Sequence, residues 1–127
     1  MSEEKKLMVV DDEEEICNFV KMFFEARGIT VRQANNGEEA IELAKTYQPH
    51  VVLLDVNMGD GDDGVTVLPK ILAVSESSRV LMTTGVDDEM MIAKAKKLGA
   101  VDYITKPLVL EDLVANVGKQ FEQMSDD

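Results

Sequence analysis

The sequence predicts an α/β domain built on a five-stranded parallel sheet with helices on both faces. Short apolar runs recur at residues 6–10, 30–34, 51–54, 80–82 and 103–105, and three of them are almost uninterrupted. Runs of that kind mark strands covered on both sides. The segments between them carry apolar residues at helical spacing, and strict alternation of the two kinds of segment requires parallel strands. Right-handed crossovers leave few ways to order such strands, and the doubly wound order 2-1-3-4-5 is the one chosen here.

The helices follow in turn. Ile16, Phe19, Val20 and Phe23 share one face of the first. Ile41 and Ala44, followed by Tyr47 or Gln48, mark the second before Pro49, and Asn35-Asn36-Gly37 precedes it as a start signal. The third is ambiguous at its beginning. Pro69 would break a helix that began at Gly64, whereas Thr66 as N-cap would leave Pro69 harmlessly in the first turn. Met91, Ala95 and Leu98 mark the fourth, with Asp87-Asp88 available as its cap. Leu110, Leu113, Val114, Val117 and Phe121 mark the fifth. Gly28 and Gly99 stand where helix ends favour a left-handed residue.

The 127 residues suit one domain, 1–127, with an ordered core over about 5–123 and frayed ends. No apolar run reaches bilayer length, and residues 7–10 are too short for a signal-peptide core, so no membrane association and a cytoplasmic location are expected. The single Cys17 cannot staple the fold and fits a reducing compartment. A formal net charge of -12 repels phosphate backbones, which argues against direct nucleic-acid binding.

Open parallel sheets hold their ligands outside the carboxyl ends of the strands. Strand 1 ends in Asp11-Asp12, strand 3 in Asp55, strand 4 in Thr83-Thr84-Gly85 and strand 5 in Lys106-Pro107. In the order 2-1-3-4-5 these ends are neighbours, so three carboxylates, a hydroxyl and an ammonium converge. Crowded carboxylates repel one another, and a hard divalent cation such as Mg²⁺ relieves them. A cation beside an acidic nucleophile suits phosphoryl transfer, with Lys106 and Thr84 holding the phosphoryl oxygens. Taken singly the pieces are less telling. Asp11-Asp12 before Glu13, Glu14 and Glu15 suits a helix cap equally well, whereas an acid closing a buried strand, like Asp55, is costly without a partner.

The runs Val9-Val10-Asp11-Asp12, Leu53-Leu54-Asp55-Val56-Asn57-Met58, Met82-Thr83-Thr84-Gly85 and 99–107 (GAVDYITKP) resemble, in order and spacing, the receiver domains of two-component response regulators. The resemblance spans essentially the whole chain and implies a flavodoxin-like fold. It implies that Asp55 is the phosphoacceptor, and that Asp12 binds Mg²⁺ directly, Asp11 largely through water and Asn57 through its carbonyl. Thr84 would be the switch hydroxyl and Tyr103 the switch aromatic. Gly85, with Val86, would govern access to the phosphate, and a cis bond would join Lys106 to Pro107. The implied partners are a histidine kinase or phosphotransfer protein upstream and a protein target downstream. The phosphorylated surface of helix 4, strand 5 and helix 5 would signal to that target. Pairing of two phosphorylated copies is compatible with this scheme.

The chain departs from the family pattern in three places. The loop 58–64 (MGDGDDG) lacks the usual proline after Met58 and is one residue longer, Leu108 replaces a common Phe, and Val86 is apolar where some relatives carry an acid or amide. Val86 cannot orient an attacking water by hydrogen bonding. The phosphoryl-aspartate is therefore expected not to be especially short-lived, and Val86→Glu should shorten its life in an autodephosphorylation assay. A wild type that decays at least as fast as the variant contradicts this.

Other features read as structural. The acidic loop fails the calcium-loop template, because Gly64 occupies a ligand position and Ile71 stands at the twelfth. His50, at a strand entrance, reads as structural or surface, and Met58, Met82, Met90 and Met91 read as gap fillers, with Met90 suited to a binding face. No turnover of an external substrate is expected, only self-catalysed phosphoryl transfer and autodephosphorylation. One alternative is a receiver fragment of a larger regulator. Another, less favoured, is an aspartate-nucleophile phosphatase, which needs a second acid where Asn57 stands. A receiver-like docking module that is never phosphorylated is the third.

Overall fold

A computed structural model describes residues 4–58, 63–85 and 89–125. Strands β1 (Lys6–Val10), β2 (Thr30–Ala34), β3 (Val51–Asp55), β4 (Arg79–Thr84) and β5 (Asp102–Thr105) alternate with helices α1 (Glu14–Glu25), α2 (Gly37–Tyr47), α3 (Gly64–Val74), α4 (Glu89–Lys97) and α5 (Leu110–Ser125). All strand pairs are parallel and the order is β2-β1-β3-β4-β5, as the sequence predicts. β3, β4 and β5 run one to three residues longer than their apolar cores, so Asp55 and Thr84 are strand residues rather than loop residues.

Alternation of side chains across the sheet builds two cores. Met8, Val10, Val52, Leu54, Val80 and Met82 face α2, α3 and α4 through Ala40, Ala44, Leu68, Ile71 and Ala95. Leu7, Val9, Val31, Leu53, Leu81 and Ile104 face α1 and α5 through Cys17, Val20, Phe24, Leu113, Val117 and Phe121. The buried stripe of α1 is therefore Cys17, Val20 and Phe24. Phe19, expected inside, is exposed, and Ile16 and Phe23 only flank the core. Leu110 and Val114 on α5 and Leu98 after α4 are likewise exposed. A helix presents only one narrow stripe, and the apolar pattern was wider than that stripe.

α3 corrects the reading of Pro69. The helix begins at Gly64, and Pro69 lies inside it without breaking it. The Asp63 side chain caps the start by accepting from the Val65 N–H at 2.9 Å, and Val65, Val67, Leu68 and Ile71 are buried. The cap and the burial outweigh the one donor that proline lacks. Gly28 (φ 83°) and Gly99 (φ 120°) take the left-handed conformation expected of them, and Gln48 (φ 49°) does so at the end of α2. Asp87-Asp88, Val86, the loop 59–62 and the chain ends 1–3 and 126–127 lie outside the described residues. No described helix is long and apolar enough to cross a membrane.

The amino end of the sheet is stitched by polar groups. The Lys6 N–H donates to His50 Nδ1 (3.0 Å), the His50 N–H to the Lys6 carbonyl (2.9 Å) and the Arg79 N–H to the His50 carbonyl (2.9 Å). Arg79 reaches α5 through Gln120 (2.6 Å) and Gln123 (2.8 Å). His50 is thus structural, as expected.

Tyr47 closes the same end. Its hydroxyl donates to the carbonyls of Thr30 (3.0 Å) and Leu7 (3.3 Å). Burial, reinforced by the charge of Glu4, pushes its phenol from 10.0 to about 12. A raised pKa means stability that is whole below the ordinary value and lost as pH rises from about 10 to about 12. Tyr47→Phe is expected to cost about 1 kcal/mol at neutral pH by urea denaturation, and to make the loss of stability across that alkaline range shallower.

Candidate functional site

The carboxyl edge of the sheet gathers the acids that the sequence placed there. Asp11 follows β1 directly and Asp55 ends β3, and both are almost sealed, at 2% and 3% exposure, while Asp12 is open to solvent. Each of the three offers a carboxylate oxygen, and these oxygens lie within 4.8 Å of one another. An all-oxygen, anionic set of this kind fits a hard divalent cation.

Lys106, one residue beyond β5, spans the two buried acids. Its Nζ lies 3.0 Å from Asp11 Oδ2 and 3.1 Å from Asp55 Oδ2. The remaining oxygens accept backbone N–H groups. Asp55 Oδ1 takes that of Asn57 at 3.2 Å, and Asp11 Oδ1 takes that of Glu13 at 2.9 Å. The bond from Glu13 lies outside α1, whose N-cap residue is Glu13 itself with no side-chain cap bond. Asp11 therefore serves the acidic edge and does not cap the helix.

The electrostatics are those of a crowded site. Burial, and then the charge of Asp11, raise the Asp55 carboxyl above its ordinary 3.8, and Lys106 and the Asn57 N–H pull it down without cancelling the rise. Burial works against the charge on Lys106, but its bond to Asp11 and the charges of Asp55 and Asp11 outweigh that and raise its pKa. One ammonium among three carboxylates leaves net negative charge in a poorly solvated place, which further positive charge would relieve.

The other expected residues fall around this centre. Thr84 ends β4, buried, and its carbonyl accepts the Lys106 N–H at 2.7 Å. Gly85 is exposed, and no described atom lies within 4 Å of where a Cβ would stand. Asn57 is exposed and bridges to Asp63, which brings the start of α3 against the end of β3. Tyr103 is half-buried on β5, with Lys96 Nζ 5.5 Å from its ring centre. The bond between Lys106 and Pro107 is cis, as expected. Val86 lies outside the described residues.

Two contributors escaped the sequence reading. Gly64 passes so close to Asp55 that a Cβ there would meet the Asp55 carbonyl oxygen. Asn35, just beyond β2, donates from Nδ2 to the Asp11 carbonyl at 3.1 Å, and the Cys17 thiol donates to the same oxygen at 3.4 Å. The sequence signal for Asn35 is its place directly after Ala34, as the polar residue that ends strand 2. Burial raises the Cys17 thiol to about 11, which makes it an inert core residue.

Comparison with known proteins agrees with this geometry. The model of the response regulator receiver domain matches residues 7–118. The alkaline phosphatase synthesis transcriptional regulatory protein PhoP of Bacillus subtilis (strain 168) is 37% identical over 89% of this chain and 47% of its own length. Sporulation initiation phosphotransferase F of the same organism is 30% identical over 86% of this chain and 87% of its own. A crystal structure of a response regulator from Burkholderia pseudomallei, with a phosphorylated aspartic acid, a calcium ion and citrate, superposes with a TM-score of 0.85 at 28% identity. It covers 97% of this chain, which covers 72% of it in return. The chain spans about half the length of PhoP, and 57% of two acid tolerance regulatory proteins that it also matches. A family match across residues 7–118, on a sheet whose carboxyl edge gathers these acids, makes the chain a member of the response regulator receiver family.

Proposed function

We propose that this chain is a phosphoacceptor switch that takes a phosphoryl group onto Asp55 from the phosphohistidine of a histidine kinase or phosphotransfer protein. The observation that carries the reading is Asp55 itself, a buried carboxylate 3.1 Å from the Lys106 ammonium and clustered with Asp11 and Asp12. In the transfer an Asp55 carboxylate oxygen bonds to phosphorus and the phosphorus–nitrogen bond breaks. The electron pair returns to the imidazole nitrogen, which takes up a proton. Asp11, Asp12 and Asp55, with the Asn57 carbonyl, would hold Mg²⁺, which when bound offsets the negative charge shared by the acids and the phosphoryl oxygens.

The chain's own groups supply the rest. Gly85, with no described atom within 4 Å of where a Cβ would stand, would leave room for the phosphodonor. Lys106 and the Thr84 hydroxyl turn toward the new phosphoryl oxygens, and Tyr103 follows Thr84 inward. The surface of α4, β5 and α5 then changes its affinity for a protein target. This is a population shift biased by local charge. Two relatives support the reading by what they are called: one is a phosphotransferase and one structure contains a phosphorylated aspartate. The short span of PhoP that is covered favours a second arrangement, in which the same switch is one part of a longer regulator. An aspartate-nucleophile phosphatase is disfavoured, because the Asn57 amide cannot act as its general acid.

The test is incubation with acetyl phosphate and Mg²⁺ followed by intact mass measurement. The expected product carries one phosphoryl group, and chelation of the metal suppresses it. An unchanged mass with Mg²⁺ present sinks the reading.

A further inference from the structure

Every polar group of Asp11 is tied down. Its Oδ2 meets Lys106 Nζ (3.0 Å) and its Oδ1 accepts the Glu13 N–H (2.9 Å). Its N–H donates to the carbonyl of Ala34, the last residue of β2 (3.1 Å), which carries the β1–β2 hydrogen bonding one residue past β1. Its carbonyl lies where a longer β2 would have offered another backbone donor. The Asn35 amide takes that place, with the Cys17 thiol as a weaker second donor. Asn35 Nδ2 also lies 3.8 Å from Cys17 Sγ, so the three groups form one small polar cluster.

The Asp11 carbonyl belongs to the peptide unit that joins Asp11 to Asp12. That unit is planar, so the bond from Asn35 fixes how Asp12 leaves the strand. Asp12 is the solvent-exposed member of the carboxylate triad and has the least packing to hold it. Asn35 is itself held. Its backbone N–H donates to Glu39 Oε1 (2.9 Å), and the neighbouring Asn36 side chain accepts the Glu39 N–H (2.9 Å). The bond from its own N–H to Glu39 thus holds the backbone from which the Asn35 amide reaches the acidic edge.

We infer that Asn35 is a positioning residue for the cation site, acting through the Asp11–Asp12 peptide plane to set where the Asp12 carboxylate stands. The inference rests on the functional reading above, since it concerns Mg²⁺ at those acids. Outer groups that orient metal ligands are commonly worth 10- to 100-fold in affinity. Asn35→Ala keeps the backbone bond to Glu39 and removes only the amide, and it is expected to weaken Mg²⁺ binding by about tenfold. Asn36→Ala is the control. It removes the cap of α2, at a cost in stability, but no bond to Asp11, and it should leave Mg²⁺ affinity unchanged.

The experiment is calorimetric titration of each variant with Mg²⁺, with the ¹⁵N resonance of the Asp12 amide followed in metal-free protein. That amide shares the peptide unit, so its resonance should move in Asn35→Ala and stay in Asn36→Ala. Asn35→Leu, closer in volume, serves the same comparison if the alanine variant packs poorly. Wild-type affinity in the Asn35 variants overturns the assignment, and so does an equal loss in Asn36→Ala, which would make the effect one of α2 as a whole. A wild type that binds no Mg²⁺ overturns the functional reading along with it, whereas phosphorylation by acetyl phosphate with unaltered Mg²⁺ affinity in Asn35→Ala overturns the Asn35 assignment alone.

Discussion

Asp55→Asn is expected to abolish phosphoryl uptake from acetyl phosphate, with no residual mass increase at a time when the wild type is fully labelled. The amide oxygen is a poor nucleophile, and the substitution barely alters volume, so loss of labelling is a loss of chemistry rather than of fold. A second consequence runs the opposite way. Burial and Asp11 hold the Asp55 carboxyl above its ordinary 3.8. The sign follows from linkage: a raised pKa gives stability that is complete below the ordinary value and is lost as pH rises through the folded value. As pH rises above 3.8 the metal-free wild type therefore gives up that contribution. The asparagine variant has no group to titrate there. It is expected to melt at a higher temperature than the wild type without metal at neutral pH, and to lose that advantage below pH 3.8, the ordinary Asp value. Added Mg²⁺ should raise the wild type and move the variant much less. Thermal unfolding across pH, with and without Mg²⁺, reads all three effects, and a variant no more stable than the metal-free wild type at neutral pH contradicts the account.

Gly64→Ala is the second large effect. The new Cβ would fall on the Asp55 carbonyl oxygen and within 2.9 Å of Val56 Cα. Both are backbone atoms and cannot rotate aside. The Gly64 N–H already bonds to the Val56 carbonyl at 2.8 Å, so α3 begins pressed against the end of β3. Either the helix start or the Asp55 backbone must move. Overpacking of this kind costs about 1–3 kcal/mol and sometimes more. The expected result is a lowered urea midpoint together with slower phosphorylation of the fraction that folds. Gly118→Ala on α5 is the control. No described atom beyond its own helix backbone and chain neighbours lies within 4 Å of its Cβ position, and replacing a mid-helix glycine by alanine should be neutral or add roughly 0.5–1 kcal/mol. Equal behaviour of the two variants would show that the close approach at Gly64 is not what limits substitution there.

The contrast between these two glycines also shows what a sequence can and cannot convey. Strand order, helix order and the converging acids were legible, because apolar periodicity and the residues that end strands are local properties. Asp55 was the clearest case, an acid set directly after four apolar residues. The fine extent of burial was not legible. Phe19 and Cys17 both belong to α1, yet the larger is exposed and the smaller sealed, since only the angle of the helix on the sheet decides between them. Pro69 argued for a later start to α3 and lost to a cap at Asp63 and a buried helix face. Gly64 carried no signal of its own, because its constraint comes from a strand end nine residues away in sequence. Lys106 was placed correctly at the edge, but nothing in its sequence context said that it would lie across both Asp11 and Asp55.

The polar stitching at the opposite end of the sheet bears on how such an edge can move. There Lys6, His50 and Arg79 tie three adjacent strands together, and Arg79 extends the tie to the last helix through Gln120 and Gln123. A sheet fastened so firmly at one margin behaves as a cantilever. If the proposed switch operates, a charge added at the acidic tip is expected to displace the segments that leave the strands there more than the tied margin.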